Sequence, residues 1–465
     1  MLPAAGRRRP ALRPALRPAR LILIGFVLVI VAGTVLLTLP TSSADGRGTG
    51  LVAALFTATS ATCVTGLSVV DTAEHWSGFG QVVILVLIQV GGLGVMSLAT
   101  IFGLLIARRV RLQTQMAAQR ESKSTVFGDG RRVILGVIGT TVVIEAVVAA
   151  ILAVRFATGY GESTGRAAYL GVFHAVSAFN NAGFALFSDN LVGFVGDPWI
   201  IVPVSAALIL GGLGFPVLFE LAREMRRAGL RLRGVGRAAR LRLSLHTRMT
   251  LVTYAALAVV GVVALTATEW TNPATLGHLG LSDKLLAGMF SGVSPRTAGF
   301  NSVDVGSMKS SSLLVTDVLM FIGGGSAGTA GGIKVTTFAI LGYVILSEIR
   351  GEPSVHAMRR RIGPDVQRQA ITVALLGVGA VVAATLALMY LTDYTLDTVL
   401  IETVSAFATV GLSTGITPDL PGAAQLFLVG LMLLGRLGPI TLGSALALRE
   451  KARRFERPEE RPIVG

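Results

Sequence analysis

Four times along the chain a glycine follows an apolar stretch too short to cross a bilayer, in the turns Thr65-Gly66-Leu67, Ala182-Gly183-Phe184, Ala298-Gly299-Phe300 and Val410-Gly411-Leu412. The glycines are separated by 117, 116 and 112 residues, so one unit recurs four times along the sequence. Each turn also follows a matching segment: Leu55 to Thr62, Phe173 to Asn180, Gly288 to Ser294 and Thr403 to Thr409, with a shared pattern of Phe or Val, two small residues and Ser. A single glycine turn would mean little, since glycine marks any tight bend. Four in one register point to a pore with fourfold pseudo-symmetry.

Composition sets where such a pore sits. With 52% hydrophobic residues, 14% charged residues and a mean hydropathy of +0.70, an ordinary soluble domain is excluded. Apolar runs lie at about 21–40, 81–106, 133–157, 199–222, 249–268, 313–348, 369–392 and 424–448. Each approaches or exceeds the ~20 residues that a helix needs to cross hydrocarbon. The predicted fold is an all-α polytopic membrane protein of four tandem M1-P-M2 repeats, with eight transmembrane helices and four re-entrant pore half-helices. Its boundaries are a basic N-terminus at 1–20, repeat 1 at 21–112, repeat 2 at 133–222 and a basic loop at 223–248. Repeat 3 follows at 249–350, repeat 4 at 369–448 and a tail at 449–465. Cys63 is the single cysteine, so an internal disulfide and a Cys-based metal site are both excluded.

Charge orients the chain. Segments 1–20, 107–132, 223–248, 350–368 and 449–465 hold 33 of the 41 Lys and Arg residues, which predicts that they, and both termini, are cytoplasmic. The opposite connections carry Asp71, Glu74, Asp189, Asp197, Asp304 and Asp419 and face outside. The net charge of +15 is therefore read as a topology signal with anionic-lipid contact, and no nucleic-acid partner is expected. The basic start and apolar core of 1–40 also fit a signal peptide, but the length of the core and the lack of a small-x-small site favour an uncleaved first span.

Irregular backbone at membrane depth survives only where it is buried or lines water. A half-helix ending at each turn directs its partial negative end at the bilayer centre, and carbonyls beyond it can replace the hydration shell of an ion. Glycine allows positive φ without a Cβ clash. No ring of acidic residues flanks the turns, so the prediction is a carbonyl site for a dehydrated monovalent cation. The alternative is that these glycines only permit close helix packing.

Between Gly323 and Gly332 six of ten residues are glycine, and a helix losing ~1 kcal/mol per glycine must break there. The stretch 323–334 is predicted to lie in the pore beneath the turns. The other second spans weaken at Gly91-Gly92-Leu93-Gly94, Gly211-Gly212-Leu213-Gly214 and Gly435 to Pro439, where tight packing is the favoured reading. Arg436 interrupts the apolar run Leu431 to Leu446 and should face the pore. Lys334 either closes the glycine-rich stretch or snorkels. Glu402 is read as heading the fourth pore segment against its helix dipole. Glu145 is a lone intramembrane carboxylate, and His174 is isolated in a pore segment.

These residues resemble the Trk/Ktr/HKT superfamily of potassium transporters, and most closely the Ktr-type membrane subunit. The resemblance rests on Phe56 to Gly66 (FTATSATCVTG), Phe179 to Phe184 (FNNAGF), Ser294 to Asn301 (SPRTAGFN) and Ala408 to Leu412 (ATVGL). Gly323 to Lys334 (GGGSAGTAGGIK) and Gly435 to Pro439 (GRLGP) complete it, and it spans Leu21 to Leu448. The resemblance implies a selectivity filter of Thr62, Cys63, Val64, Thr65 and Gly66; Asn180, Asn181, Ala182 and Gly183; Thr297, Ala298 and Gly299; and Ala408, Thr409, Val410 and Gly411. K+ would bind the carbonyls of Val64, Thr65, Asn181, Ala182, Thr297, Ala298, Thr409 and Val410. It implies an intramembrane gate of Gly323, Gly324, Gly325, Ser326, Gly328, Thr329, Gly331, Gly332 and Lys334, with Arg436 beside it. It further implies a plasma-membrane homodimer regulated by a cytosolic RCK-type nucleotide-binding ring. The transported ion would be K+, with Na+ as coupling or activating ion, and no organic cofactor. Plant relatives that favour sodium often carry serine at the first filter glycine; Gly66 here points to potassium. Trk-type relatives carry two further N-terminal spans. The competing reading is a cation-coupled secondary carrier; no catalytic constellation suggests an enzyme.

Overall fold

The computed structural model describes residues 16–94, 127–232 and 243–447. Fourteen α-helices run through them: α1 (Leu16–Leu37), α2 (Leu51–Cys63), α3 (Gly78–Gly94), α4 (Phe127–Gly159), α5 (Thr164–Phe179), α6 (Pro198–Leu213) and α7 (Phe215–Leu232). They continue as α8 (Leu245–Glu269), α9 (Leu281–Val293), α10 (Ser310–Ile322), α11 (Val335–Ile349), α12 (Pro364–Leu391), α13 (Leu396–Ala408) and α14 (Gly422–Ala447). Among the described residues the departures from all-α are a two-residue hairpin, His356–Ala357 against Arg360–Arg361, and a lone antiparallel bridge between Ser43 and Trp76. The predicted basic segments 1–20, 107–132 and 223–248 lie partly outside the described residues, and 449–465 wholly so.

Val133–Gly159, Leu245–Glu269 and Pro364–Leu391 are each long and apolar enough to cross a membrane. Their outward residues, such as Val143, Val154, Val259, Val263, Leu375 and Leu386, are mostly exposed, a surface that suits lipid rather than water. The four short helices α2, α5, α9 and α13 have 13 to 16 residues. At 1.5 Å per residue they reach about 20–24 Å, short of the ~30 Å hydrocarbon. Each packs on the long helix before it: α2 on α1, α5 on α4, α9 on α8 and α13 on α12. The final helix α14 packs back on α2, so the last quarter of the chain closes on the first.

One predicted span is wrong in shape. The run 199–222 is two helices, α6 and α7, meeting at 105°. Gly214 at the junction has φ +91, and Pro216 lacks the N–H that would continue a helix but fits the first turn of a new one. Hydropathy stays high through the bend, which is why a window cannot sense it. The run 313–348 breaks where its glycines predict, between Ile322 and Val335.

Candidate functional site

The four turns meet. A Cβ added at Gly66 would collide with the carbonyl oxygen of Ala182 and stand 3.1 Å from the Cα of Gly183. One at Gly183 would stand 2.7 Å from the Cα of Gly299 and 3.1 Å from the oxygen of Ala298. One at Gly299 would meet the oxygen of Val410, and one at Gly411 the oxygen of Thr65. Each glycine therefore faces the carbonyl preceding the next glycine, in one rotational sense, until the ring closes. The four glycines have φ of +93, +71, +72 and +99.

Two positions before each glycine stands a residue that L side chains rarely allow there: Val64 (φ 57), Asn181 (φ 58), Thr297 (φ 75) and Thr409 (φ 50). Such backbone costs of order 1–3 kcal/mol each and persists only where its surroundings hold it. The helix ends do the holding. The N–H before each glycine donates to the carbonyl of a serine in the preceding short helix or at its cap: Thr65 to Ser60 (2.7 Å), Ala182 to Ser177 (2.7 Å), Ala298 to Ser294 (2.9 Å) and Val410 to Ser405 (2.9 Å). The serine hydroxyls add a second brace. Ser60 and Ser405 accept from the N–H of Gly66 (3.1 Å) and Gly411 (2.9 Å), while Ser177 and Ser294 donate to the carbonyls of Phe184 and Phe300. Thr62, Cys63 and Ala408 are still helical, and Asn180 caps α5.

The weakened second helices explain themselves by packing. Added Cβ atoms at Gly91, Gly211 and Gly435 would run into the carbonyls of Thr62, Phe179 and Phe407, each four residues before a ring glycine. Beyond the ring, a cleft of about 90 Å³ is lined by Gly66, Gly183, Ser68, Asp71, Ser188 and Asn190.

Against the ring on its other side lies the stretch 323–334. Its amides satisfy the end of α6: Gly325 donates to Gly212 (2.7 Å), Thr329 donates to Gly211 (3.3 Å), and Phe215 returns a bond to Ala327 (3.3 Å). The Thr329 hydroxyl donates to Oδ1 of Asn181 (2.9 Å), whose Nδ2 donates to the Thr297 hydroxyl (3.3 Å). Gly331 lies against the carbonyl of Ala408 and the hydroxyl of Thr409. Arg436 is buried and donates through Nη1 to the Thr329 carbonyl; its Nε and Nη2 have no partner among the described residues. Lys334 turns its ammonium onto the carbonyls of Ala330 and Gly331 rather than away from the stretch.

Other polar residues act as braces. Glu145 has partners after all: Gln89 donates to it at 3.3 Å and Asn180 at 3.0 Å, with Asn180 also donating to Gln89 at 2.8 Å. Glu402 does not head its helix; α13 begins at Leu396, so Glu402 sits at mid-helix. It accepts from Ser413 (2.6 Å), the Thr414 amide (3.0 Å) and Thr417 (2.7 Å), fastening the segment after the fourth turn. His174 is paired within the fold, Nδ1 at 2.7 Å from the Leu170 carbonyl and Nε2 accepting from Leu186 at 3.2 Å, so Nδ1 carries the proton. Sequence reading missed Arg296, which is buried one residue before Thr297 and donates to the Gly323 carbonyl. A cation in the turn just after a short membrane-embedded segment was the available signal.

Apolar helices around a closed ring of buried backbone turns are the frame of an integral membrane protein. The chain belongs to the TrkH family of cation transport proteins, which it matches over residues 13–453. That is a family of transporters and not of enzymes. The chain is 39% identical over 442 residues to the Ktr system potassium uptake protein B of Bacillus subtilis, covering 94% of each. It is 34% identical to the potassium/sodium uptake protein NtpJ of Enterococcus hirae, covering 97% of this chain and 98% of that one. Its fold matches the crystal structure of the potassium transporter TrkH from Vibrio parahaemolyticus with a TM-score of 0.69 at 17% identity, over 94% of this chain and 86% of that one.

Proposed function

We propose that the chain is the membrane subunit of a potassium uptake system and that the ring of four turns is its selectivity filter. The carrying observation is the cyclic contact of Gly66, Gly183, Gly299 and Gly411 with the carbonyls of Ala182, Ala298, Val410 and Thr65. Carbonyls so placed exchange for the water shell of a dehydrated K+, and the C-terminal ends of α2, α5, α9 and α13 add negative potential. The carbonyls of Val64, Asn181, Thr297 and Thr409 form the layer next to them. Two inverted halves, as in many carriers, do not generate a ring running in one rotational sense.

The stretch 323–334 is the gate, closing the path beneath the filter, and Arg436 is its companion. Uptake is across the plasma membrane with both termini inside; the Lys and Arg distribution supports that orientation. The Ktr names of the relatives support a partner subunit, which we assign as a cytosolic nucleotide-binding RCK-type ring acting on a dimer of this chain. The potassium/sodium naming of one relative supports a part for Na+. The test is complementation of a potassium-uptake-deficient cell with K+, Rb+ and Na+ fluxes measured. Growth at low K+ with K+ and Rb+ uptake above Na+ is expected; equal K+ and Na+ fluxes would refute the filter.

A further inference from the structure

Arg296 is 1% exposed, yet no carboxylate reaches it among the described residues. A buried cation ordinarily needs an anion or a full set of acceptors. Here the acceptors are backbone. Nε and Nη2 donate to the Gly323 carbonyl at 3.0 and 2.7 Å, and Nη1 to the Tyr254 carbonyl at 3.4 Å. The guanidinium also lies over the Tyr254 ring, 4.3 Å from its centroid, where a desolvated cation–π contact is favourable.

The two ends of this contact have separate meanings. Gly323 ends α10, has φ +61, and is packed so closely that an added Cβ would meet the carbonyls of Gly331 and Ile333. The start of the glycine-rich stretch is therefore held against its finish. At the other end, Arg296 adjoins Thr297, whose φ of +75 is the highest of the four strained residues beside the ring glycines. Arg296 is the rigid link between them.

Building on the filter and gate above, we propose that Arg296 is a positioning residue that pins the fixed end of the gate to the third turn of the filter. The pin confines gate motion to the middle of the loop, around Thr329, and keeps turn three in its strained form. One residue then sets both the gate equilibrium and the selectivity of the ring. Arg436, which holds only the moving part, sets the first alone.

The test is Arg296→Gln in the full chain, with flux and the K+/Na+ uptake ratio normalised to folded protein in the membrane. Without the pin the hinge at Gly323 can swing out with the rest of the stretch, which adds open arrangements that the parent forbids; a bias of ~1.4 kcal/mol toward them shifts the closed-to-open ratio by about tenfold, so flux rises while the K+/Na+ ratio falls. Arg296→Lys, which keeps a charged donor for Gly323 but not the two-pronged guanidinium, lies between the variant and the parent in both. Deletion of residues 325–331 supplies the second arm: in that background Arg296→Gln adds nothing to flux but still lowers the K+/Na+ ratio. Equal flux effects of Arg296→Gln with and without the loop, or a parental K+/Na+ ratio, overturn the pin while leaving filter and gate standing. A loop deletion that alone leaves flux at the parental level overturns the gate and the pin with it. If Arg296→Gln does not reach the membrane, Tyr254→Leu removes the ring under the guanidinium and carries the same test, with a smaller shift of the same sign.

Discussion

Replacing Gly66 by serine tests the filter most directly. Its φ of +93 lies in the left-handed half of backbone space, where an L-residue costs roughly 1–2 kcal/mol. The new Cβ would also collide with the Ala182 carbonyl and stand 3.1 Å from the Gly183 Cα. Those neighbours are backbone of the next turn and cannot rotate aside, so forcing them apart costs about a further 1–3 kcal/mol, as overpacking does in a core. The ring must widen or tilt by an amount worth roughly 2–5 kcal/mol in total. If ~1.4 kcal/mol of that falls on the K+ form and not the Na+ form, discrimination drops tenfold. The expected result for Gly66→Ser is at least a tenfold lower K+/Na+ uptake ratio, measured in potassium-uptake-deficient cells and normalised to protein in the membrane. Gly183→Ser, Gly299→Ser and Gly411→Ser should fall in the same direction, because each faces its neighbour in the same way. Gly342→Ser is the control, since nothing lies within 4 Å of a Cβ added there. Parental ratios in all four ring variants at normal protein levels would refute the reasoning.

Three further outcomes are expected. Deleting residues 325–331 should raise flux while K+ preference largely persists, and Arg436→Ala should raise it less; a deletion variant that folds yet transports like the parent refutes the gate. Glu402→Ala leaves Ser413, Thr414 and Thr417 without their common acceptor and should cost about 3 kcal/mol of stability, read as a lower midpoint of thermal unfolding in detergent; an unchanged midpoint argues against the brace. Reversing charge at the exposed Arg359, Arg360 and Arg361 should weaken salt-sensitive copurification of a cytosolic ring from native membranes, and undiminished capture would place the docking surface elsewhere.

The turns were legible because they obey two local rules at once, a short apolar segment and a glycine after it, repeated at even spacing. The bend between α6 and α7 was not, because Gly214 and Pro216 sit inside a run whose mean hydropathy hides a change of direction. The partners of Glu145 escaped for another reason. Gln89 and Asn180 lie 56 and 35 residues away, and only the packing of α3, α4 and α5 brings their side chains together. Glu402 was misplaced because the segment matched between repeats starts only at Thr403, whereas α13 starts more than a turn earlier, at Leu396. Arg296 was visible as a residue and invisible as a link, since its acceptor is a carbonyl 27 positions on.

Gly211 to Gly214 and Gly323 to Gly332 read separately as a packing site and a helix break, but in the fold they are halves of one device. The end of α6 leaves carbonyls with no helical partner, and the loop supplies the amides. Besides the Arg296 bonds at its start, five contacts tie the middle of the loop to α6, the second turn and α14: Gly325 to Gly212, Thr329 to Gly211, Phe215 to Ala327, Thr329 to Asn181 and Arg436 to Thr329. When water replaces a protein hydrogen bond, the net loss is about 0.5–1.5 kcal/mol, so exchanging all five costs about 5 kcal/mol. That is close to the ~5.5 kcal/mol that moves an equilibrium from mostly closed to mostly open, which a regulator with different affinities for the two states can supply. In a dry pore each orphaned group would instead bear its full desolvation cost, and no modest binding energy would open it. The proposed gate therefore works only where the cavity beneath the proposed filter is wet.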